Sequence, residues 1–334
     1  MQSTLNTVPD ASETLANSSK AMGALFRRLL PLGALLLLIG FFSLRAGQFA
    51  TIDNVYNIAR QQSVIMLIAF GMTLVIIAGQ IDLSVGSVAA FCGIAMAWFT
   101  ASSLWSAASP WPLALLFGIG CGVLWGAINA FLIGVLRLPS FVATLGTMGM
   151  ARGLTYMLCG GVTLTSNANV RPLADNGPLG LPVPFWLLLG AALLVGWILR
   201  CTVIGRGIYA VGGNASAARF AGIDERHILF FVYMLAGALT GLAAIVEVAR
   251  NSNSSQPNTG ETYPLDAIAA VVIGGGSLLG GEGSIGGTVV GALIIAVLRN
   301  GLTLMGRDPF EQMVLIGALI IAAVALDQWR RARA

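Results

Sequence analysis

The chain is a succession of apolar runs separated by short polar intervals, and no run alternates with the period of a half-buried strand. A helix needs about 20 mainly apolar residues to cross a bilayer. On that template, candidate spans fall at 29–44, 57–79, 84–101, 111–136, 141–159, 184–200, 228–249, 265–279, 284–299 and 310–327. The pattern predicts an all-α, polytopic membrane protein of about ten transmembrane helices. Residues 1–22 are rich in Ser, Thr, Asn and Ala without periodicity and read as a disordered tail. The transmembrane domain is expected over 29–327, followed by a basic tail at 328–334. The first run follows Lys20, Arg27 and Arg28, as a signal peptide would. It lies far from the start and Arg45 interrupts the expected cleavage region, so a retained helix is the expectation.

Small residues interrupt the apolar pattern twice, which predicts broken helices near 79–84 and 274–283. Residues 75–79 read VIIAG and 271–275 read VVIGG, and another apolar run follows each. Gly-interrupted segments at corresponding places in two halves point to a duplicated architecture and a transport pathway. Chance echo in a Gly/Val/Ile-rich chain is the competing explanation.

Composition narrows the class further. Only 10% of the 334 residues are charged, 57% are hydrophobic and the mean hydropathy is +0.85. A soluble protein carries about 25% charged residues, so this chain has too few to cover a core of its size. The same arithmetic excludes a disordered chain, a collagen and a disulfide scaffold. The single Lys is Lys20, followed by Ala21. A phosphate-binding P-loop ends in Lys and then Ser or Thr, so this chain has none. His227 is the only histidine, which leaves little material for a metal cluster or a Ser-His-Asp arrangement. Cys92, Cys121, Cys159 and Cys201 show no paired spacing.

The pI of 9.1 invites a nucleic-acid reading, but the basic residues sit singly at the ends of apolar runs, which is topology instead. With ten spans and the N-terminus inside, the inner ends hold Lys20, Arg27, Arg28, Arg137, Arg200, Arg206, Arg219, Arg226, Arg330, Arg331 and Arg333. The outer ends hold Arg45, Arg60, Arg171, Arg250, Arg299 and Arg307, and Arg152 falls within a span. The excess predicts that both termini are cytoplasmic. The stretches 160–183 and 250–263 then face outward, and 201–227 inward.

Three segments carry chemical information. In GMTLVIIAGQIDLSVGS, residues 71–87, Asp82 stands in an apolar stretch. It reads either as a cap for the helix starting near Leu83 or Ser84 or as a pathway residue, since a charge at membrane depth is costly unless paired or wet. In GRGIYAVGGNASAARFAGIDERH, residues 205–227, Asn214 is a good N-cap and Gly222 a natural stop for a short helix over 214–222. Such a helix is unstable alone and must dock, on its own bundle or on a partner, with Ala218 in its run and Arg219 and Phe220 as the interface pair. A cytoplasmic helix of this kind in a chain without an ATP site suggests coupling to an external motor. In YPLDAIAAVVIGGGSLLGGEGSIGGTVVGALI, residues 263–294, eight glycines between Gly274 and Gly287 break the helix. Asp266 and Glu282 flank that break and are expected as caps, with ligand contact as the alternative.

The sequence resembles the membrane permease subunits of bacterial ABC importers for monosaccharides, the ribose, xylose, arabinose and galactoside group. The resemblance rests on residues 71–87, on FVATLGTMGMARGL at 141–154, on 205–223 and on LDAIAAVVIGGGSLLGG at 265–281. One departure is Gln80, where members of this group often have a second Gly. The resemblance implies a bacterial inner-membrane location and a pair of permeases, expected as a homodimer, bound to two cytoplasmic ATPases and receiving sugar from a periplasmic binding protein. Residues 214–222 would be the coupling helix. Transport would be alternating access, with no covalent chemistry and no cofactor in this chain, ATP and Mg being used by the partner ATPase.

For the sugar pathway, the uncharged polar residues in or beside spans are Gln61, Gln62, Asn129, Thr144 and Thr147. The alternative for each is interhelical hydrogen bonding. Arg152 is expected to pair with Asp82 or Glu247. Two other functions stay open: an ABC importer for another polar solute such as a branched amino acid, and an ion-coupled secondary transporter working alone. A membrane enzyme fits least, because no nucleophile, base or metal site is clustered.

Overall fold

The computed structural model describes residues 30–101 and 111–331. The predicted tail 1–22 with Lys20, and Arg27, Arg28 and Arg333, lie outside the described residues. The helices are α1 (Leu30–Arg45), α2 (Ile52–Ile77), α3 (Val85–Ala101), α4 (Trp111–Ala130), α5 (Ser140–Cys159) and α6 (Val183–Cys201). They continue with α7 (Val203–Gly213), α8 (Ala215–Phe220), α9 (Glu225–Arg250), α10 (Tyr263–Ile273), α11 (Ile285–Leu304) and α12 (Pro309–Arg331). The only described strands, β1 (Leu164–Thr165) and β2 (Ser254–Ser255), form one short antiparallel pair. Each of the ten predicted runs is helical. Among the described residues, five helices are long and apolar enough to cross a membrane alone: α2, α4 with its π-helical extension to Val135, α6, α9 and α11.

α2 is the centre of the bundle. In its most apolar stretch 89% of the residues are buried inside the protein, as expected of a helix apolar on all sides. It starts at Ile52 and not at the predicted residue 57, because Thr51 caps it and accepts from the Asn54 N–H. Beside it, α4 and α9 cross at backbone distance. A β-carbon on Gly122 would fall against the Gly237 carbonyl, and one on Gly126 against the Tyr233 carbonyl. Small residues allow such approach, and dispersion between closely packed backbones holds helices together in lipid.

The two breaks are built alike. At the end of α2, Gly79 N–H donates to Ile76 O (2.9 Å) and Gln80 N–H to Val75 O (3.0 Å), with Gly79 at φ +74°. At the end of α10, Gly275 N–H donates to Val272 O (2.9 Å) and Gly276 N–H to Val271 O (2.8 Å), with Gly275 at φ +90°. These are the same paired bonds around a left-handed glycine that close many helices. Gln80 occupies the position after that glycine and has no positive φ, so the missing second Gly carries no conformational cost. The likeness resumes beyond the break, where Asp82-Leu83-Ser84-Val85-Gly86 matches Glu282-Gly283-Ser284-Ile285-Gly286. The second break holds four more residues, and α10 ends at Ile273, not at the predicted 279, because Gly275 turns the chain out of the helix.

Two further expectations need correction. The interval 201–227 is not a loop with one short helix. Thr202 caps α7 by accepting from the Gly205 N–H (3.0 Å), and α7 packs on α2, α6 and α9. Asp266 is not a cap: Thr262 holds that position, and Asp266 sits inside the first turn of α10. There both its carboxylate oxygens accept from Arg299 of α11 at 3.1 Å. The cap of α11 is likewise Ser284, two residues beyond Glu282, with Ser284 Oγ accepting from the Gly287 N–H.

Candidate functional site

α8 is built as its sequence predicts. Asn214 Oδ1 accepts from the Ala217 N–H at 2.9 Å, and Gly222 turns the chain away at φ +80°. One turn of helix does not hold its shape alone, and Ala218 anchors this one in the core. That leaves Phe220 94% exposed. Arg219 lies 3.9 Å from Glu225 with its side chain 57% exposed. Asp224 starts α9 by accepting from the Arg226 N–H (2.8 Å) and also meets His227 Nδ1. The Arg226 N–H first, and His227 second, hold its carboxyl below the usual range. A cavity of about 750 Å³ opens beside α8, lined by Gln80, Arg137, Ser140, Arg219 and Arg226 among others.

Asp82 lies deeper in the same half and is 5% exposed. Its Oδ1 accepts from the Ser84 N–H (2.8 Å) and from Ser84 Oγ (2.6 Å), just ahead of α3. Asn129 of α4 donates to Ser84 Oγ (2.9 Å) and lies 3.5 Å from Asp82 Oδ2. Thr147 of α5 donates to Asn129 Oδ1 at 2.7 Å. Thr144 accepts from the Leu83 N–H, Ser140 Oγ from the Ile81 N–H, and Tyr233 of α9 donates to Ile81 O. The freed backbone of the first break is thus satisfied by side chains of α5 and α9, while Asn129 of α4 holds the side chains of Asp82 and Ser84, which meets the condition for irregular backbone at membrane depth.

Of the five residues expected along a sugar pathway, the structure brings together three and leaves Gln61 and Gln62 apart from them. Asn129, Thr144 and Thr147 are buried in this network, their hydrogen bonds spent on the protein. Facing helices in a water-poor interior pair their small polar groups with each other. Gln62 is buried in α2, while Gln61 lines a second cavity of about 310 Å³ with Arg60, Arg171, Asp175 and Arg250. That cavity lies on the β1–β2 side, so Arg60, Arg171 and Arg250 stand on one face and Arg137, Arg219 and Arg226 on the other. Arg152 pairs with neither Asp82 nor Glu247. Its guanidinium donates to the carbonyls of Pro257 and Thr259, while Glu247 holds Arg250 at 3.1 Å and Asn251. Position along α5 puts Arg152 near the β1–β2 end, where loop carbonyls are the nearest acceptors.

Sequence reasoning missed Ser84, Ser140 and Tyr233. The first two had a signal, each being a Ser at the start of an apolar run; Tyr233 had none. Asp82→Ala removes the acceptor for Ser84 and Asn129, and an unsatisfied buried donor costs about 1–3 kcal/mol. The variant is expected to lose thermal stability in detergent, whereas Asp82→Asn keeps an oxygen at that place and loses less. Equal melting of the two variants would remove the network from the account.

Known proteins fit this architecture. The family model described as the branched-chain amino acid transport system / permease component matches residues 54–324. The chain belongs to this permease family. Among its relatives, the ribose import permease protein RbsC of Escherichia coli is 43% identical over 268 residues, covering 78% of this chain and 81% of the relative. Ribose import permease protein RbsC of Haemophilus influenzae is 42% identical over 267 residues, with the same coverage. The L-arabinose ABC transporter permease protein AraH of Azospirillum brasilense is 32% identical over 324 residues, 97% of this chain and 94% of the relative. No solved structure matches. The permease is a multi-pass membrane protein, and the matched region runs from α2 into α12, taking in both breaks and α8.

Proposed function

We propose that this permease is the membrane subunit of an ATP-driven importer that passes a ribose-like monosaccharide from a periplasmic binding protein to the cytoplasm by alternating access. The observation that carries the reading is α8, a capped single turn holding a fully presented Phe220 beside Arg219. A chain without a phosphate-binding Lys-Ser/Thr has no motor of its own, and α8 offers one a place to seat. The ribose and L-arabinose permeases among its relatives supply the substrate class. ATP and Mg belong to the partner ATPase in this reading, and this chain is not an enzyme. The face with Arg137, Arg219 and Arg226 is cytoplasmic, both termini lie on that side, and a second copy of the chain completes the pathway.

The test is uptake into proteoliposomes holding this permease, its ATPase and a ribose-binding protein. Labelled ribose is expected to accumulate only with ATP inside the ATPase compartment, and an excess of leucine is expected to leave uptake unchanged. Competition by leucine would move the substrate to the branched amino acids named in the family description. Uptake driven by a sodium or proton gradient without ATP would replace the importer by a secondary transporter.

A further inference from the structure

Five glycines from three separate segments meet directly under α8: Gly79 after α2, Gly212 and Gly213 at the end of α7, and Gly280 and Gly281 in the loop between α10 and α11. The Gly281 N–H donates to Ile77 O, the second break bonding the end of α2, at 2.8 Å. A β-carbon on Gly212 would fall against Ile77 O and 2.8 Å from Gly281 N. One on Gly280 would lie 2.5 Å from Gly212 O and 2.7 Å from Gly79 Cα, and one on Gly281 would lie 2.9 Å from Gly213 Cα. Backbone therefore rests on backbone, with no side chain between the three segments to bend or change rotamer. Tyr209 adds a second tie from α7, donating to Gly283 O at 2.8 Å.

We propose that this joint, centred on Gly212, is the route by which a displacement of α8 reaches the broken ends of both halves at once. Asn214, the cap of α8, follows Gly213 directly, so no slack separates the helix from the joint. On its other side α8 leaves through Gly222, where a β-carbon would meet open space. That exit makes no backbone contact comparable to the one Gly212 makes at the entrance. Close-packed contacts transmit small displacements where looser ones absorb them. The joint touches Gly79, which closes α2, and Gly280 and Gly281 in the loop that links α10 to α11, so one push is shared by both breaks. Gly212 is a positioning residue in this scheme: it keeps the segments in contact and touches no substrate.

The inference rests on the importer reading and is tested in the assembled transporter, with ATPase and ribose-binding protein in proteoliposomes. Gly212→Ala is expected to retain the ATPase and its ATP hydrolysis while ribose moved per ATP falls ~10-fold, within the range of measured coupling between sites. Gly213→Ala, whose β-carbon meets open space, is expected to keep the wild-type ratio. An unchanged ratio in Gly212→Ala, or an equal loss in both variants, would overturn the joint. If Gly212→Ala does not assemble, hydrogen exchange on the wild-type complex decides. A non-hydrolysed ATP analogue is expected to change protection in 78–84 and 274–284 together, and a change confined to α9 would sink the proposal. Failure of the importer reading itself looks different, since the wild type would then move no ribose with ATP.

Discussion

Arg219→Glu combined with Phe220→Ala will strip the ATPase from the purified permease while leaving the bundle folded. The expected effect is large because the two residues carry most of what α8 can offer. Phe220 is almost wholly exposed and Arg219 reaches its nearest acid only at 3.9 Å. Aromatic and Arg anchors at interface centres typically cost about 2 kcal/mol or more on truncation, which is a ~30-fold or greater loss of affinity. The charge reversal adds repulsion from Glu225 without touching the core, because Ala218 alone of this turn is buried. The check is co-purification, with gel filtration of the permease confirming that it remains folded. Retention of the ATPase at the wild-type level would remove α8 from the interface. Loss of folding together with the ATPase would mean that the pair supports the bundle.

Gly122→Val will destabilise the fold more than any change at the α8 face. The crossing of α4 and α9 has no room for a β-carbon at this position, where Gly237 O and, at 3.0 Å, Gly241 N already lie. Overpacking against movable side chains costs about 1–3 kcal/mol. Here the obstacle is the backbone of a helix that also packs on α2, so the upper end of that range is expected, ~3 kcal/mol. The damage spreads to the Asp82 network, since Asn129 on α4 and Tyr233 on α9 reach it from the two helices being forced apart. Gly120, on the same helix, meets nothing within 4 Å, and Gly120→Val is the matched control. Heating in detergent followed by size exclusion should show early loss of the monodisperse peak for Gly122→Val only. Matching curves for the two variants would mean that the crossing is looser than described.

Much of the architecture was legible before any coordinates. The ten apolar runs are helices because hydropathy and helix formation are decided over a few turns of chain. The caps of α8 were legible for the same reason: Asn214 and Gly222 act on backbone groups three and four residues away. The echo between VIIAG and VVIGG also had local content, since each segment ends in the same paired hydrogen bonds. α7 was not legible in the same way: it contains Gly205, Gly207, Gly212 and Gly213, which are poor helix formers, yet Thr202 caps it and its neighbours bury it.

Partnerships lay beyond reach because they depend on which helices face each other. Glu247 has an arginine three residues on along α9, a local signal, but nothing local distinguishes Asp82 and Asp266 as partners for an arginine. The structure gives Asp266 to Arg299 and Glu247 to Arg250, leaves Asp82 with uncharged donors, and sends Arg152 to loop carbonyls. Asn129, Thr144 and Thr147 carried the right chemistry for either a pathway or a helix contact. The structure shows that all three hydrogen-bond at the first break, Thr144 to its backbone and Asn129 and Thr147 through the Asp82–Ser84 side chains.

The sequence by itself determined that this protein lives in a bilayer, where its helices break and where the short helix α8 starts and stops. Those properties follow from transfer free energy and from hydrogen bonds within one turn, which depend on nearest neighbours along the chain. The tertiary structure decided that the two breaks and the end of α7 share one contact, and that the segment around Asp82 is held by α4, α5 and α9. Those facts depend on contacts between different helices, at residues 45 or more positions apart, and helix packing alone sets them.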